Sequence, residues 1–499
     1  MKASRNSIFR SPRPARAAIL LAICGILSGC AVGPHYSRPS APAAPAYKET
    51  PENWKRAQPA DQFAHGQWWE VYQDPALNAL EGKIEVSNQT LKAAEAQFQQ
   101  ARALVGYYRA NYYPTVTGGV SATRNRLSKN RPIVGATTNY TDLTLPIDVS
   151  YEPDVWGRVR RTVEAATANA QASAADLEYV RLSLHAELAM DYFEARALDS
   201  EIQLLNSTVE AYEKALQLTN NRYQGGIASQ VDVAQAQTQL ETTRAQAIDL
   251  TSQRAAYEHA MAVLIGEPPA NYALPTTPLN TVPPAIPPGL PSDLLERRPD
   301  IAAAERRMVA ANAQIGLARA AYFPTISLSA SGGFEGSSIT NWLSGPSGFA
   351  AAGVSALETI FDAGQRHAIS QQAQSAYDQS VANYRQDVLT AFQEVEDSLA
   401  ALRILESEAT TQAAAVSAAE RSLALSNNRY RGGVASYLEV ITAQSLALSD
   451  ERTAVEIAGR RMTDSVLLIK ALGGGWSTAS LPTPQSLAQS HSASQSTAP

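Results

Sequence analysis

Apolar side chains in the middle of the chain recur at the interval typical of a long coiled helix. Between Leu177 and Leu216 they are spaced by about 3.5 residues, which is the coiled-coil period. Neither Pro nor Gly interrupts residues 158–220 or residues 365–428. At the usual rise per residue, each predicted helix would be about 95 Å long. A globular helix averages only about 11 or 12 residues, so these helices are predicted to be spacers.

Two other segments alternate apolar and polar residues with the period of a β-strand. One covers residues 142–152 and the other residues 325–334, while residues 116–122 and 349–357 predict two further strands. Runs of about ten such residues are typical of a strand in a transmembrane barrel, although a soluble, half-buried sheet alternates in the same way. Four strands cannot close a barrel, whose smallest known form has about eight. If the strands lie in lipid, other copies of the chain must therefore pair with their edges.

A decapeptide occurs twice. Residues 220–229 read NNRYQGGIAS, and residues 427–436 read NNRYRGGVAS. Upstream, the sequence YYPT at residues 112–115 returns as YFPT at residues 322–325. We interpret the chain as a tandem duplication of a unit of about 200 residues.

These patterns divide the chain into six segments. They are a signal peptide over 1–29, a lipidated strap over 30–74, a first repeat over 75–266, a Pro-rich connector over 267–299, a second repeat over 300–472 and a disordered tail over 473–499. A plain flexible tether is the alternative for the strap. Each repeat is predicted to contain a helix, two strands (about 113–152 and 325–359), a very long helix (158–220 and 365–428) and, after a glycine turn, another helix (229–266 and 436–472).

The N-terminus is typical of an exported protein. Residues 1–16 contain five basic residues and no acidic one, and an apolar run over residues 17–27 leads to Cys30. The sequence Leu-Ser-Gly-Cys resembles a bacterial lipobox and predicts a lipid on Cys30, whereas the alternative is an ordinary signal peptide with an incidental Cys. The residue after the Cys is Ala31. An Asp at this position would retain a lipoprotein in the inner membrane, so Ala31 implies delivery to the outer membrane. No other apolar run is long enough for a transmembrane helix.

Composition excludes several classes of protein. The 499 residues include 41 Lys+Arg, 47 Asp+Glu and only two Cys, with 45% hydrophobic and 18% charged residues. Such a chain is too apolar for disorder and has too few Cys for a disulfide scaffold. Cleavage before Cys30 would leave the chain more acidic, so nucleic acid is not an expected partner. The six His show no metal-ligand spacing, and HExxH, GxSxG and phosphate loops are absent, so we expect no enzyme activity, metal or cofactor.

Taken together, these features resemble the TolC family of outer-membrane channels, and more narrowly the NodT/OprM-like lipoproteins of efflux systems. The resemblance covers nearly the whole mature chain. It is carried by CAVGPHYSRP at 30–39, by Trp68 and Trp69, by GLPSDLLERRPDIAAAE at 289–305, by the aromatic-Pro motif at 322–324 and by both RYxGG turns.

The resemblance implies a mixed α and β membrane protein that forms a homotrimer. Four strands per chain would form a 12-stranded transmembrane β-barrel, which continues as a coiled-coil α-helical barrel through the periplasm. The implied partners are outer-membrane lipid, a periplasmic membrane-fusion adaptor and an inner-membrane transporter of the resistance-nodulation-division class. The expected function is passive export of drugs and toxic compounds. Type I protein secretion and a non-conducting periplasmic coiled-coil spacer are the alternatives.

The repeated turns are the expected functional site. The Gly pair would end one helix, and Ser229 or Ser436 would begin the next, with Asp232 or Glu439 completing a capping box. By resemblance, the periplasmic gate consists of Tyr430, Asp232, Glu439, Thr442 and Tyr223. Tyr430 would contact Asp232, and Glu439 would line the narrowest ring; Thr442 stands where many relatives have a second Asp. The adaptor would contact Gly225, Gly226, Gly432, Gly433, Arg222 and Arg429, although both Arg residues are alternatively interpreted as capping helix carbonyls.

Overall fold

The computed structural model describes residues 31–41, 44–49, 67–128, 139–286 and 291–488. The predicted signal peptide and Cys30 lie outside the described residues. Within the described ranges the chain is mostly helical and contains one antiparallel sheet. None of the helices described is both long enough and apolar enough to cross a membrane.

The described elements follow one another in a repeating order. The helices are α1 (Pro75–Ser87), α2 (Gln89–Arg109), α3 (Arg158–Gln224), α4 (Gln230–Leu264), α5 (Leu294–Arg297), α6 (Pro299–Ala320), α7 (Gln365–Arg431), α8 (Tyr437–Ala471) and α9 (Pro484–Ala488). The strands are β1 (Thr115–Gly118), β2 (Ser121–Arg126), β3 (Asn139–Tyr151), β4 (Thr325–Gly336) and β5 (Gly348–Leu357).

The long helices have equal lengths in the two halves. Helices α3 and α7 have 67 residues each, and α4 and α8 have 35 residues each. Helix α3 begins at the predicted residue and ends four residues later than predicted, and α7 ends three residues later. The first helix of the first half is interrupted at Asn88, whose side chain accepts a hydrogen bond from the Leu91 N–H (2.8 Å) and caps α2.

The first half contributes three strand segments instead of two. Both β1 and β2 pair with β3, and they are separated only by Gly119 and Val120, so together they form one interrupted strand. The sheet order is β1/β2, β3, β4, β5, with every pairing antiparallel. Nine of the ten residues of β5 are exposed, so this strand has no buried face within one chain.

All connections to the helices leave the sheet at the same end. The register pairs Thr115 with Ser150, Tyr151 with Leu328, and Thr325 with Leu357. Thr115, Tyr151, Thr325 and Leu357 are the strand ends that join α2, α3, α6 and α7, and they therefore lie at one end of the sheet. The opposite end of the sheet carries only the connections between strands.

The N-terminal strap begins at this junction of sheet and helices. The N–H of Val32 donates to the carbonyl of Trp156 (3.1 Å), just before α3. The buried Arg161 donates from Nε to the carbonyl of Val32 (3.3 Å) and from Nη2 to that of Pro34 (3.1 Å). Gly33 has φ +110°, and a Cβ there would lie 2.5 Å from the Cα of Gly316, so only glycine permits this approach.

Further along, the described parts of the strap contact α6 and α7. Arg38 lies 3.4 Å from Glu305 of α6 and donates to the hydroxyl of Tyr384 of α7. The N–H groups of Lys48 and Glu49 donate to the two carboxylate oxygens of Glu396 (2.8 and 3.0 Å). These contacts hold residues 31–41 and 44–49 against the helices.

Part of the tail predicted to be disordered is ordered, so that prediction is wrong for residues 473–488. Leu487 of α9 packs into a cluster with Val105 of α2 and with Ala166 and Ala170 of α3. The side chain of Gln171 donates to the carbonyl of Pro482 (2.9 Å). The few apolar residues of this segment find tertiary partners, which its average composition does not reveal. Residues 489–499 lie outside the described residues.

A buried ionisable pair joins α1 to α3. His185 is 2% exposed and Glu81 is fully buried; Nδ1 of His185 lies 2.6 Å from Oε2 of Glu81, and Nε2 lies 3.1 Å from Oε1 of Glu85. The ring of Trp69 stacks on that of His185 at 4.3 Å. Burial raises the pKa of the Glu81 carboxyl to about 7, although the hydrogen bond to His185 opposes the shift. Burial lowers the pKa of His185, but hydrogen bonds to Glu81 and Glu85 outweigh it, and the net shift is upward.

Raised pKa values on both groups predict that the folded protein gains stability as the pH falls. The folded protein retains a proton on Glu81 that the unfolded chain loses above about pH 4.5, so stability declines as the pH rises from there to about 7. The raised pKa of His185 acts in the same direction. We expect Glu81→Gln to remove up to about 3 kcal/mol of this pH dependence. Melting temperatures of the purified protein and the variant between pH 5 and 8 measure the difference.

Glu85→Gln is the matched control for Glu81→Gln. Glu85 is 42% exposed, and its hydrogen bond from His185 lowers its pKa, so its stabilising contribution is lost as the pH falls. That loss occurs below about pH 4.5, so Glu85→Gln should leave the pH dependence of stability between pH 5 and 8 nearly unchanged. Equal pH dependence in the wild type and in Glu81→Gln would contradict the prediction.

Candidate functional site

The two glycine turns form what we call the tip, residues 222–232 and 429–439. Each long helix ends directly before the first Gly of its pair, and the second Gly has positive φ, +72° at Gly226 and +77° at Gly433. In both turns the N–H two residues after the first Gly donates back to the carbonyl of the Arg at 222 or 429 (2.8 and 3.0 Å). The second Gly of each pair is therefore required by the backbone.

The first Gly of each pair has no such requirement. Gly225 has φ −78° and Gly432 has φ −72°, which every L-residue adopts. A Cβ on either would meet its nearest atoms at 3.4 to 3.5 Å, close to ordinary contact. Folding of the single chain therefore does not explain glycine at these two positions.

The predicted capping box forms in only one turn. The N–H and Oγ of Ser229 donate to Oδ2 of Asp232 (2.8 and 3.0 Å), and the N–H of Asp232 donates to Oγ of Ser229 (3.2 Å). The prediction is wrong at Ser436, whose side chain makes no capping hydrogen bond. The Glu439 carboxylate instead faces Arg429 at 3.6 Å. The backbone N–H of Glu439 donates to the carbonyl of Ser436 (3.2 Å) rather than to its side chain.

Arg222 joins the two halves of the tip. Its Nη1 donates to the carbonyls of Tyr430 (2.8 Å) and Arg431 (3.4 Å) at the end of α7. The guanidinium carbon lies 4.4 Å from the centre of the Tyr430 ring, a cation–π distance, and that ring packs against Tyr437 at 5.3 Å. Arg222 thus caps helix carbonyls, which was one of the two interpretations of this residue. The carbonyls belong to α7, however, and not to its own helix α3.

Tyr430 and Asp232 are not hydrogen-bonded to each other within the chain. Tyr430 is 5% exposed, and its buried hydroxyl has no hydrogen-bond partner among the described residues. The capping box uses only Oδ2 of Asp232, and Oδ1 accepts no hydrogen bond from the described part of the chain. Each partner of the expected lock therefore keeps an unused polar atom.

The remaining predicted residues lie on the surface, either in the tip or, for Thr442, three residues beyond it. Tyr223 is 45% exposed, in contrast to its counterpart Tyr430. The hydroxyl of Thr442 donates to the carbonyl of Leu438 (2.9 Å) within α8. Arg429 contacts Glu439 of its own hairpin, whereas its counterpart Arg222 reaches the other hairpin.

Sequence reasoning missed Tyr437. This residue is 3% exposed, and burial raises its pKa to about 12, so it is neutral at physiological pH. Its position directly after the N-cap gave no signal, because the corresponding residue of the first half is Gln230. Among the described residues, no group of three or more His, Cys, Asp or Glu side chains is arranged to hold a metal ion.

Comparisons with known proteins identify similar chains. A family model described as "Outer membrane efflux protein" matches residues 81–267 and 290–474. The "Probable efflux pump outer membrane protein TtgC" of Pseudomonas putida KT2440 is 34% identical over 454 residues, covering 90% of this chain and 94% of the relative. The "Cation efflux system protein CusC" of Escherichia coli is 29% identical, covering 90% and 96%. The solved structure of the outer-membrane channel OprN has a TM-score of 0.83 at 30% identity, covering 90% of this chain and 100% of that one.

Proposed function

Because the chain belongs to the outer membrane efflux protein family, we propose that it is the outer-membrane channel of a tripartite efflux system and exports small molecules passively. The observation that carries the proposal is a sheet in whose described strands no residue is buried and whose helix connections all leave at one end, two of them to 67-residue helices. Such a chain has strands for the outer membrane and helices about 100 Å long for the periplasm.

A trimer would complete the sheet. The outer edges, β1/β2 and β5, have no strand partner within the described chain. Three copies pairing β5 with β1/β2 of the next would close a 12-stranded barrel and satisfy the edges. Large apolar side chains exposed in or next to the strands would then face lipid or a neighbour; they include Val116, Ile147, Val354, Leu357 and Phe361.

A lipid on Cys30 fits the same arrangement. Ala31, the next residue, lies so close to Gly157, at the junction between sheet and helices, that a Cβ on Gly157 would be 2.9 Å from the Cα of Ala31. If the sheet lies in the outer membrane, this junction is at the inner face of the membrane. An acyl chain attached here would therefore enter the leaflet next to the barrel.

The tip is proposed as the periplasmic gate. The Tyr430 hydroxyl and Oδ1 of Asp232, each without a hydrogen-bond partner in the described chain, would pair within one chain as trimer contacts draw its two hairpins together, without loss of the Ser229 capping box. Three copies of Glu439 would form a ring that favours cations, although Arg429 balances part of their charge. Thr442 would add no charge to this ring.

We further propose that Gly225 and Gly432 are where the periplasmic adaptor approaches the backbone, which links the channel to an inner-membrane transporter. The double variant Gly225→Leu with Gly432→Leu should retain the trimer, since both φ values suit leucine. It should reduce efflux to the level of a strain without the channel, because the side chains would keep the adaptor away. Drug susceptibility and the amount of trimer in the outer membrane measure the two effects.

The double variant Gly225→Ala with Gly432→Ala is the control for side-chain size. A methyl group there makes close to ordinary contacts within the chain, so efflux should fall much less. If the leucine pair complements a channel-less strain fully, the assignment of the adaptor contact is wrong.

Planar-bilayer conductance of the purified, lipidated protein, with its mass determined in the same detergent, tests the proposed function. We expect a trimer with small, cation-selective currents, since the proposed gate would hold the tip closed. Combining Tyr430→Phe with Asp232→Ala should loosen the gate and increase the conductance about five-fold, the effect of losing one hydrogen bond of about 1 kcal/mol. Protein that never conducts, even with both changes, would instead support a periplasmic coiled-coil spacer.

A further inference from the structure

A ten-residue motif at the junction of sheet and helices occurs twice. Residues 106–115 read GYYRANYYPT, and residues 316–325 read GLARAAYFPT. Arg109 and Arg319 are the corresponding basic residues, each in the last turn of its helix. Because α2 leads into β1 and α6 leads into β4, both arginines lie at the end of the sheet from which the helices leave.

Both guanidinium groups are available to a ligand. Arg319 is exposed and Arg109 is half-buried, and neither side chain has a hydrogen bond or an ion pair within the described part of the chain. The negative end of the helix dipole favours a basic residue here, but it occupies none of the N–H donors. Three neighbouring arginines, in contrast, are each paired with an acidic residue: Arg158 with Glu152, Arg160 with Asp154 and Arg366 with Asp362.

Arg319 lies on the outer face of α6. The strap crosses this face at Gly316, where a Cβ on Gly33 would lie 2.5 Å from the Cα of Gly316. Arg319 follows Gly316 by three residues, and residues at this spacing are neighbours on one helix face. A strap that carries a lipid at its start must run on the outside of the helices, so this face is turned away from the lumen.

Arg109 lies on the corresponding face of α2. It stands 210 residues before Arg319, at the same place in the repeated motif. Val105, four residues earlier and therefore on the same face, packs against Leu487 near the end of the described chain. The two ends of the described chain thus cover α6 and α2 next to the two arginines.

Exposed aromatic side chains lie at the same level as the arginines. Tyr113 is 71% exposed, Tyr322 is 42% exposed and Phe323 is 38% exposed. The ring of Trp156 stacks on that of Phe323 at 4.7 Å, and its indole N–H donates to the carbonyl of Pro324 (2.8 Å). Aromatic girdles of this kind mark the headgroup region at each edge of a transmembrane barrel.

We propose that Arg109 and Arg319 bind the phosphate groups of anionic phospholipids in the inner leaflet of the outer membrane. A guanidinium matches a phosphate with two parallel N–H donors. An anionic lipid is preferred to a zwitterionic one because no acidic side chain of the described residues neutralises either arginine by direct contact. The inference rests on the proposed function, since it requires the sheet to lie in the outer membrane.

The test uses the full-length protein in nanodiscs that contain equal amounts of phosphatidylglycerol and phosphatidylcholine with the same acyl chains. Native mass spectrometry counts the lipids that remain bound when the protein is released. We expect about five-fold more phosphatidylglycerol than phosphatidylcholine, the effect of one basic residue near an anionic lipid. Arg109→Gln combined with Arg319→Gln should abolish this excess, while the amount of protein inserted stays the same.

Arg244→Gln combined with Arg307→Gln is the matched control, because it removes the same charge from two exposed arginines. Arg307 is paired with Asp176 (2.6 Å) and lies about 18 Å along α6 from Arg319, and Arg244 is paired with Glu213 (2.6 Å). This variant should keep the excess of phosphatidylglycerol. Inserted protein that retains both lipids equally, or an excess that survives the loss of Arg109 and Arg319, would overturn this inference alone. Protein that does not insert would overturn the proposed function as well.

Discussion

Replacement of Arg298 by alanine is expected to destabilise the protein by about 3 kcal/mol, because it removes a buried side chain and its hydrogen bonds to charged groups, which are worth about 1.5 to 3 kcal/mol each. The Arg298 side chain is 5% exposed. It donates from Nε and Nη2 to Asp300 (3.0 and 2.6 Å), and from Nη1 to Glu394 (2.5 Å) and to the carbonyl of Ala471 (3.2 Å). One guanidinium thus joins the start of α6, the middle of α7 and the end of α8. Thermal melting followed by circular dichroism, together with the yield of assembled protein, measures the loss.

Arg297→Ala provides the matched control for Arg298→Ala. Arg297 is the preceding residue in the sequence, but its side chain is 48% exposed and lies 3.7 Å from Asp293 in a surface pair. Its removal should cost no more than about 0.5 kcal/mol. Equal losses in the two variants would show that the buried contacts of Arg298 do not stabilise the fold.

Arg222→Ala is expected to open the tip and increase the conductance of the channel about tenfold. The variant loses the hydrogen bonds to the carbonyls of Tyr430 and Arg431 and the contact with the Tyr430 ring. For a half-buried side chain these contacts are together worth about 1 to 2 kcal/mol, and 1.4 kcal/mol changes an equilibrium tenfold. Without them, the ends of α3 and α7 separate more easily. Planar-bilayer recordings and susceptibility to large antibiotics measure the effect.

Arg429→Ala has the same change in charge and serves as the control for Arg222→Ala. Arg429 is 59% exposed and contacts only Glu439 of its own hairpin, so the spacing between hairpins should not depend on it. The prediction fails if Arg222→Ala conducts like the wild type, or if both variants open the channel equally while remaining trimeric.

The family and the order of elements could be predicted from the sequence. The resemblance to outer-membrane efflux channels, based on the RYxGG turns and on residues 289–305, is confirmed by the family match. An uninterrupted coiled-coil period predicted the long helices because helix formation depends on local spacing and on the absence of Pro and Gly. The missed helix ends, Gln224 and Arg431, lie directly before the glycines that end the helices.

The candidate site was predicted less completely. The turns NNRYQGGIAS and NNRYRGGVAS differ at two positions, yet Tyr223 is 45% exposed and Tyr430 is 5% exposed. Because such similar local sequences give different environments, the difference must come from the packing partners. Tyr430 is buried because it packs against Tyr437 and because Arg222 contacts the end of its helix.

By itself, therefore, the sequence determined the local elements: the helical period, the alternating strands and the repeated glycine turns. Only the tertiary structure decided which of these elements meet. Arg298 is 173 residues from Ala471, and Arg222 is 208 residues from Tyr430, along the chain. The tail around Leu487 is ordered for the same reason, since its partners lie on α2 and α3. Periodicity records the faces that each element buries, whereas the choice of partner depends on packing and hydrogen bonds between residues far apart in the sequence.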